Sequence, residues 1–356
     1  MNVLTGYIVR EILKGSFVAL LLLLTLFNLF TFTDELKDLG EGSYGIKEIL
    51  YYLALTSPRV FYELVPASAL LGSLFILGAM GNNRELIAMR AAGLSIFGII
   101  RAVMLAGVIL VVISILVGEF VAPVTERMAQ LIKVSAQNKQ VLMNAKYGLW
   151  LREGKKFINI RQIEDDGNLA DISIYELDDQ QHLHQAMHAD QAVFLGNQQW
   201  NMKNIKTSEI STQQMLASTQ DSQLWKSSIA PNLLKIVVVN PNNLSLYDLA
   251  NYIKFLKKNN QKSHVFELAF WGRVVNPLVT FVMLLLSAPI VIGVKRGVSV
   301  GGRMMIGVVI GMGFNIIDKI VGHIGLIYDL NPPLMAFIPS LTVLALALFA
   351  VKRVQE

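Results

Sequence analysis

Three short stretches of this 356-residue chain carry residue types and spacings suited to chemistry. The first, HLHQAMH, sets His182, His184 and His188 at even separations, so a β-strand would carry the three imidazoles on one face, a start toward a metal site. The chain has no Cys, and no carboxylate stands at a suitable spacing to complete a shell, so a solvated strand face competes with the metal reading. The second is Asp318 with Lys319, well inside an apolar run where ionisable groups are costly. They fit a transport role, pairing with a neighbouring helix, or a lysine that snorkels outward.

The third stretch is GNNRELIAMRAAGLS, Gly81 to Ser95, three charges between two apolar runs. Asn82 is placed to cap a helix whose third position is Glu85, and Gly93 to end it in a left-handed conformation. About two and a half turns result, with Leu86, Met89 and Arg90 open to an outside partner. Such a helix suits a handle for an ATPase subunit; equally, Glu85 serves only its own cap. Spacing leaves both readings open.

No Walker A, G-x-S-x-G, H-E-x-x-H or Gly-rich dinucleotide fingerprint occurs, so neither enzyme activity nor a cofactor or metal bound by this chain is expected. Energy for any transport must then come from an ion gradient or from a partner's ATP hydrolysis.

The elements that position these residues follow from composition. Apolar residues make up 53% of the chain and charged residues 16%, and the mean hydropathy is +0.49, which together indicate a membrane protein. The net charge of +5 is dispersed over several loops, which argues against nucleic acid as a partner. Six runs approach the roughly 20 residues a spanning helix needs: Leu13 to Phe32, Val60 to Met80, Ile96 to Val121, Leu268 to Val294, Met304 to Gly325 and Leu334 to Val351. The first follows Arg10 and Lys14 but shows no cleavage site before TDELKD, so a retained helix is expected. Arg84 and Arg90, Lys295 and Arg296, and Lys352 and Arg353 fall on the same side as Arg10, while the acidic Asp34 to Glu48 loop falls on the other. Both termini are therefore expected in the cytoplasm.

Between Pro123 and about Lys262 nothing is long and apolar enough to span, so residues 1–122 and 263–356 read as membrane halves and 123–262 as an inserted external domain. GLWLREGKKFINIRQI, ADISIYEL and QAVFL read as short strands, broken at Gly154, DDGN and LGNQQ, as in a sandwich or roll. SLYDLANYIKFLKKNNQK then reads as an amphipathic helix, with Ser245 and Asp248 as its capping box. Ala69 and Ser73, Gly297 and Gly301, and Gly307 and Gly311 stand four apart, a pattern of close helix packing.

RELIAMRAAGLS, GEFVAP, GLWL, NYIKFLK and YDLNPP resemble the LptF/LptG permease family of the lipopolysaccharide exporter over essentially the whole chain; GEGSYG with GLWL is more similar to the LptG branch. The resemblance implies a six-helix membrane α-protein with a periplasmic all-β jellyroll-like domain. It further implies that the subunit pairs with LptF above two LptB ATPases, which carry ATP and Mg, and passes lipopolysaccharide toward LptC and LptA. By the same resemblance Glu85 engages LptB, flanked by Arg84, Leu86, Met89 and Arg90, with Arg296 supporting coupling. Lys37, Arg127, Lys133 and Arg273 are expected to meet lipid A phosphates, and Phe27, Phe30, Phe32 and Phe314 to line an acyl-chain cavity. An ion-coupled carrier using Asp318 and a membrane-anchored binding or scaffold protein are the alternatives.

Overall fold

The computed structural model describes residues 3–137, 149–164, 167–178, 180, 182–211, 214–227, 229, 241–293 and 300–355. Six candidate spans lie within Val3–Asp38, Ile46–Asn82, Ile96–Ala136, His264–Val291, Gly301–Ile327 and Pro332–Arg353. The chain divides into a membrane unit, Met1–Leu39, Gly45–Gln130 and His264–Glu356, and a β unit, Gly40–Tyr44 and Leu131–Ser263.

In the membrane unit α1 is Val3–Glu35, α2 Ile46–Asn82, α3 Glu85–Ala91 and α4 Ile96–Leu116. Ser95 caps α4 by accepting the Gly98 N–H at 3.1 Å. A π turn, Val117–Val121, carries α4 directly into α5, Ala122–Ala136. Pro123, read as the end of the third span, sits inside this continuous helix. The wider ladder, in which the Ala122 N–H reaches the Val117 carbonyl, and Pro123's position in the first turn of α5 together absorb the missing donor. Similarly, α2 begins at Ile46, before the expected Val60, and runs through Pro58 and Pro66. The Thr56 and Ser57 hydroxyls fold back onto the Leu53 carbonyl there.

The apolar core joins Ile12 of α1, Leu74 of α2, Ile99 and Val103 of α4 and, from α7 (His264–Gly293), Leu284. α8 is Val300–Ile327 and α9 Pro332–Gln355. The tightest helix crossing is one that the sequence spacing did not single out. A Cβ on Gly72 would overlap the backbone of Ser16, and one on Gly15 would overlap Ile76, so α1 and α2 meet backbone to backbone. Of the pairs four apart, Gly307 packs against Leu74 while Gly311 faces open space, and Gly297 lies outside the described residues.

The β unit is built around one antiparallel sheet: β1 Leu149–Glu153, β2 Lys156–Ile163, β3 Leu169–Leu177, β4 Leu183–Gly196, β5 Gln199–Ile210 and β6 Met215–Lys226, paired in that order. Its register places Ile160 opposite Ile172, Ile172 opposite Ala189, and Ala189 opposite Ile205, one buried apolar row. Asn197 and Gln198, both at positive φ, make the two-residue turn expected at LGNQQ. Trp200 is fully buried and donates its indole N–H to the Ile229 carbonyl at 2.8 Å. GEGSYG acquires a role here: the Ser43 hydroxyl donates to the Ala136 carbonyl at 3.1 Å, and Lys133 stands over the Tyr44 ring. The amphipathic helix α6, Leu246–Lys258, is capped by Ser245, which accepts the Asp248 N–H, and buries Leu249, Tyr252, Phe255 and Leu256.

Candidate functional site

The charged stretch at Gly81 forms a corner rather than one capped helix. Asn82, expected as a cap, is the last residue of α2, and Arg84, at φ 62, makes the turn with no side-chain cap. Because α2 continues to Asn82, α3 is only the seven residues Glu85–Ala91. Its end follows the sequence reading: Gly93 is at φ 90, its N–H reaches the Arg90 carbonyl, and the Leu94 N–H reaches Met89. This is the paired bonding that lets glycine stop a helix.

Glu85 does more than serve a cap. One carboxylate oxygen accepts the Tyr7 hydroxyl at 3.1 Å and the other the Asn83 amide at 3.3 Å, which ties α3 to the start of α1. Tyr7 was not legible as a partner, since 78 residues separate the two.

Leu86 and Met89, expected to face outward, are 8% and 7% exposed and belong to the membrane core. At spacing i, i+3 they share the face of α3 that packs into the core. The outward surface is formed instead by Ile87, 58% exposed, Arg90, and Phe97, 69% exposed. Arg90, Gly93, Leu94, Ser95, Ile96 and Phe97 line a shallow depression of about 450 Å³ beside it. Arg296 lies outside the described residues.

At the other end of the spans, charges pair with one another. Arg273, expected to meet phosphate, is 7% exposed; it donates to Glu119 at 2.9 Å and to the Gly118 carbonyl at 3.0 Å, with its guanidinium over the Tyr62 ring. Glu119 and Gly118 belong to the π turn, so the wide turn presents both acceptors to α7. Gly118 is required because a Cβ there would enter the Tyr62 ring. The guanidinium is thus turned inward onto partners within the membrane unit. Arg59 is held likewise between Glu63 at 2.9 Å and buried Glu126 at 3.2 Å.

Lys37 is exposed beside Asp34 at 2.8 Å, Arg127 is half-buried on α5, and Lys133 belongs to the β unit. Phe27 and Phe30 stand on the outward face of α1 and Phe32 is half-buried. Phe314 packs partly against the core rather than standing free. Asn315, Asp318, Lys319 and His323 are exposed on α8, at spacings that place them along one helix face.

In the β unit His182 precedes β4 and lies 3.5 Å from Asp178, whereas His188 faces Ser173 at 3.2 Å, so the three histidines do not converge. The Asp178 carboxyl is held below its usual range by the His182 backbone N–H, with help from that of Gln180. No group of three His, Asp or Glu residues suited to a metal occurs among the described residues.

A family model described as the lipopolysaccharide export system permease LptF/LptG matches residues 6–353. The chain is 31% identical to the lipopolysaccharide export system permease protein LptG of Haemophilus influenzae, over the full length of both. It is 30% identical to the protein of that name from Escherichia coli K12, over 99% of this chain and 98% of that one. With the lipopolysaccharide export system permease protein LptF of E. coli K12 it shares 29% identity over 112 residues, 32% of this chain.

Proposed function

Because the chain belongs to the lipopolysaccharide export system permease LptF/LptG family, we propose that it is the membrane half of a machine whose fuel is consumed elsewhere. It is an LptG-type permease subunit of lipopolysaccharide export, a multi-pass inner-membrane protein with a periplasmic β portion. The observation that carries this is likeness to LptG over the full length in two organisms, against a third of the chain for LptF.

In our reading LptF is the other permease half, and two LptB subunits bind ATP and Mg and hydrolyse the nucleotide. Glu85 and Arg90 on α3 and Arg84 in the turn before it, with the exposed Ile87 and Phe97, form the surface that receives the ATPase. What supports this is the build of α3: its inner face is fixed in the core, Glu85 is pinned to α1, and apolar side chains are left outward. A push on such an element moves α1 and α2 instead of deforming the helix. Arg296 is assigned a supporting role there. Lipopolysaccharide acyl chains lie along the face of α1 that carries Phe27 and Phe30, near Phe32 and Phe314, and its phosphates meet Lys37, Arg127 and Lys133. LptC and LptA receive the lipid from the β portion.

The test is coexpression with LptB and LptF and measurement of ATP-dependent lipopolysaccharide release. Glu85→Ala is expected to assemble yet lose release by at least about tenfold, or 1.4 kcal/mol. Normal release would remove α3 from the coupling path. Asp318→Asn, with the proton gradient dissipated, is expected to leave release intact; loss there would favour an ion-coupled carrier.

A further inference from the structure

One buried charge has no role in this reading. Arg303, in the first turn of α8, is 6% exposed. Its Nη1 donates to the Gly78 carbonyl at 3.3 Å, its Nε has no partner, and no carboxylate faces it among the described residues. A guanidinium cannot escape burial by losing its proton. Nor does its own helix favour it, because a cation in the first turn opposes the helix dipole.

The end of α2 supplies what α8 does not. α2 terminates at Asn82, so Gly78 lies one turn from the negative end of that helix, where a cation is stabilised. At Gly81 four elements converge: a Cβ built there would stand 3.7 Å from Arg303 Nη1, 3.9 Å from Leu86 of α3 and 4.0 Å from Val291 of α7. The guanidinium and Leu86 of α3 therefore both lie within 4 Å of one point on α2. One turn farther along α8, Gly307 allows such close contact with α2 that a Cβ would overlap Leu74. The inner end of α8 is thus held on α2 by a charge on a carbonyl and by a glycine contact, both within reach of the corner that carries α3.

From this geometry we propose that Arg303 is a positioning residue that transmits displacement of α3 to α8. It rests on the reading of α3 as the ATPase-facing element. A push on α3 reaches Leu86 and the end of α2, and the planar guanidinium, oriented by the Gly78 carbonyl, carries α8 with it. α8 is the span whose exposed face holds Asn315, Asp318 and His323, about 22 Å along the helix in the case of Asp318. Displacement at the inner end thereby reorients that polar face as a rigid body.

The test uses the full complex with LptB and LptF in lipid vesicles and reads lipopolysaccharide released per ATP hydrolysed, for Arg303→Met, Arg303→Lys and Glu85→Ala. Arg303→Met is expected to lower the ratio at least about fivefold, the lower end of site-to-site coupling, and Arg303→Lys to restore part of it. An unchanged ratio in an assembled Arg303→Met complex overturns the proposal, as does a fall that Arg303→Lys shares in full. If Arg303→Met does not assemble, Arg303→Lys decides alone: a fall of about twofold or more supports transmission, and an unchanged ratio refutes it. Glu85→Ala separates the two levels. If it too behaves as wild type, the reading of α3 has failed; if it uncouples while Arg303→Met does not, only the role of Arg303 has.

Discussion

Two arginines are buried to nearly the same degree in the membrane unit, Arg273 at 7% and Arg303 at 6% exposure, and they are satisfied in opposite ways. Arg273 meets a carboxylate, a carbonyl and an aromatic face, each supplied or allowed by the π turn. Arg303 meets one carbonyl at the end of another helix. The first arrangement is a lock, since its attraction depends on a fixed partner charge. The second depends on a helix end, and so moves when that end moves. At one place the unit neutralises a buried charge with a carboxylate, and at the other it leaves one to a carbonyl near the negative end of a helix.

The largest effect should come from breaking the lock. Glu119→Ala strands a buried guanidinium and is expected to cost about 3 to 5 kcal/mol in thermal unfolding of the detergent-solubilised chain. Near wild-type melting would mean that the ion pair is not what holds α7 to the π turn. Packing can be separated from charge at Gly72 in the second half of α2: Gly72→Ala forces a methyl onto the Ser16 backbone and should cost about 1 to 3 kcal/mol.

A third buried polar group shows the desolvation that Arg303 cannot avoid. Tyr252, on α6 of the β unit, is pushed from 10.0 up to about 12 by burial alone, and it remains in place by staying neutral. Its folded value is above its unfolded one, so the stability it contributes is complete below pH 10 and is lost as pH rises through about 12. Tyr252→Phe should remove that alkaline loss; an identical alkaline melting curve would show that the ring ionises without strain. The smallest stability change is expected at Arg303. Arg303→Met removes a charge that faces no carboxylate among the described residues, so melting should stay within about 1 kcal/mol of wild type or rise. A loss as large as that of Glu119→Ala would erase the contrast between the two ends.

Local rules reached far along this chain. The number of spans, the Gly93 stop, the Asn197–Gln198 turn and the Ser245 cap each depend on nearby residues, and each is found, although the second and third helices run beyond their expected bounds. The errors share one cause. Asn82 looked like a cap because Glu85 stands three residues later, yet α2 had not ended. Leu86 and Met89 looked available because an isolated seven-residue helix has no inside. The pairing of Arg273 with Glu119 was out of reach for the same reason, since 154 residues separate the two. In the same way Tyr7 joins Glu85, and GEGSYG joins the end of α5, across separations over which no periodicity operates.

By itself the sequence determined which segments are long and apolar enough to enter the bilayer, on which side the charge bias leads one to expect the cytoplasm, and where strands replace helices. Those properties are set by hydropathy, charge bias and local backbone preference, all of which add up along the chain. Only the tertiary structure decided which charges are spent on one another and which remain to act. Pairing is a property of distance in space, and Glu119 and Gly78 are neighbours of Arg273 and Arg303 only after the helices have packed.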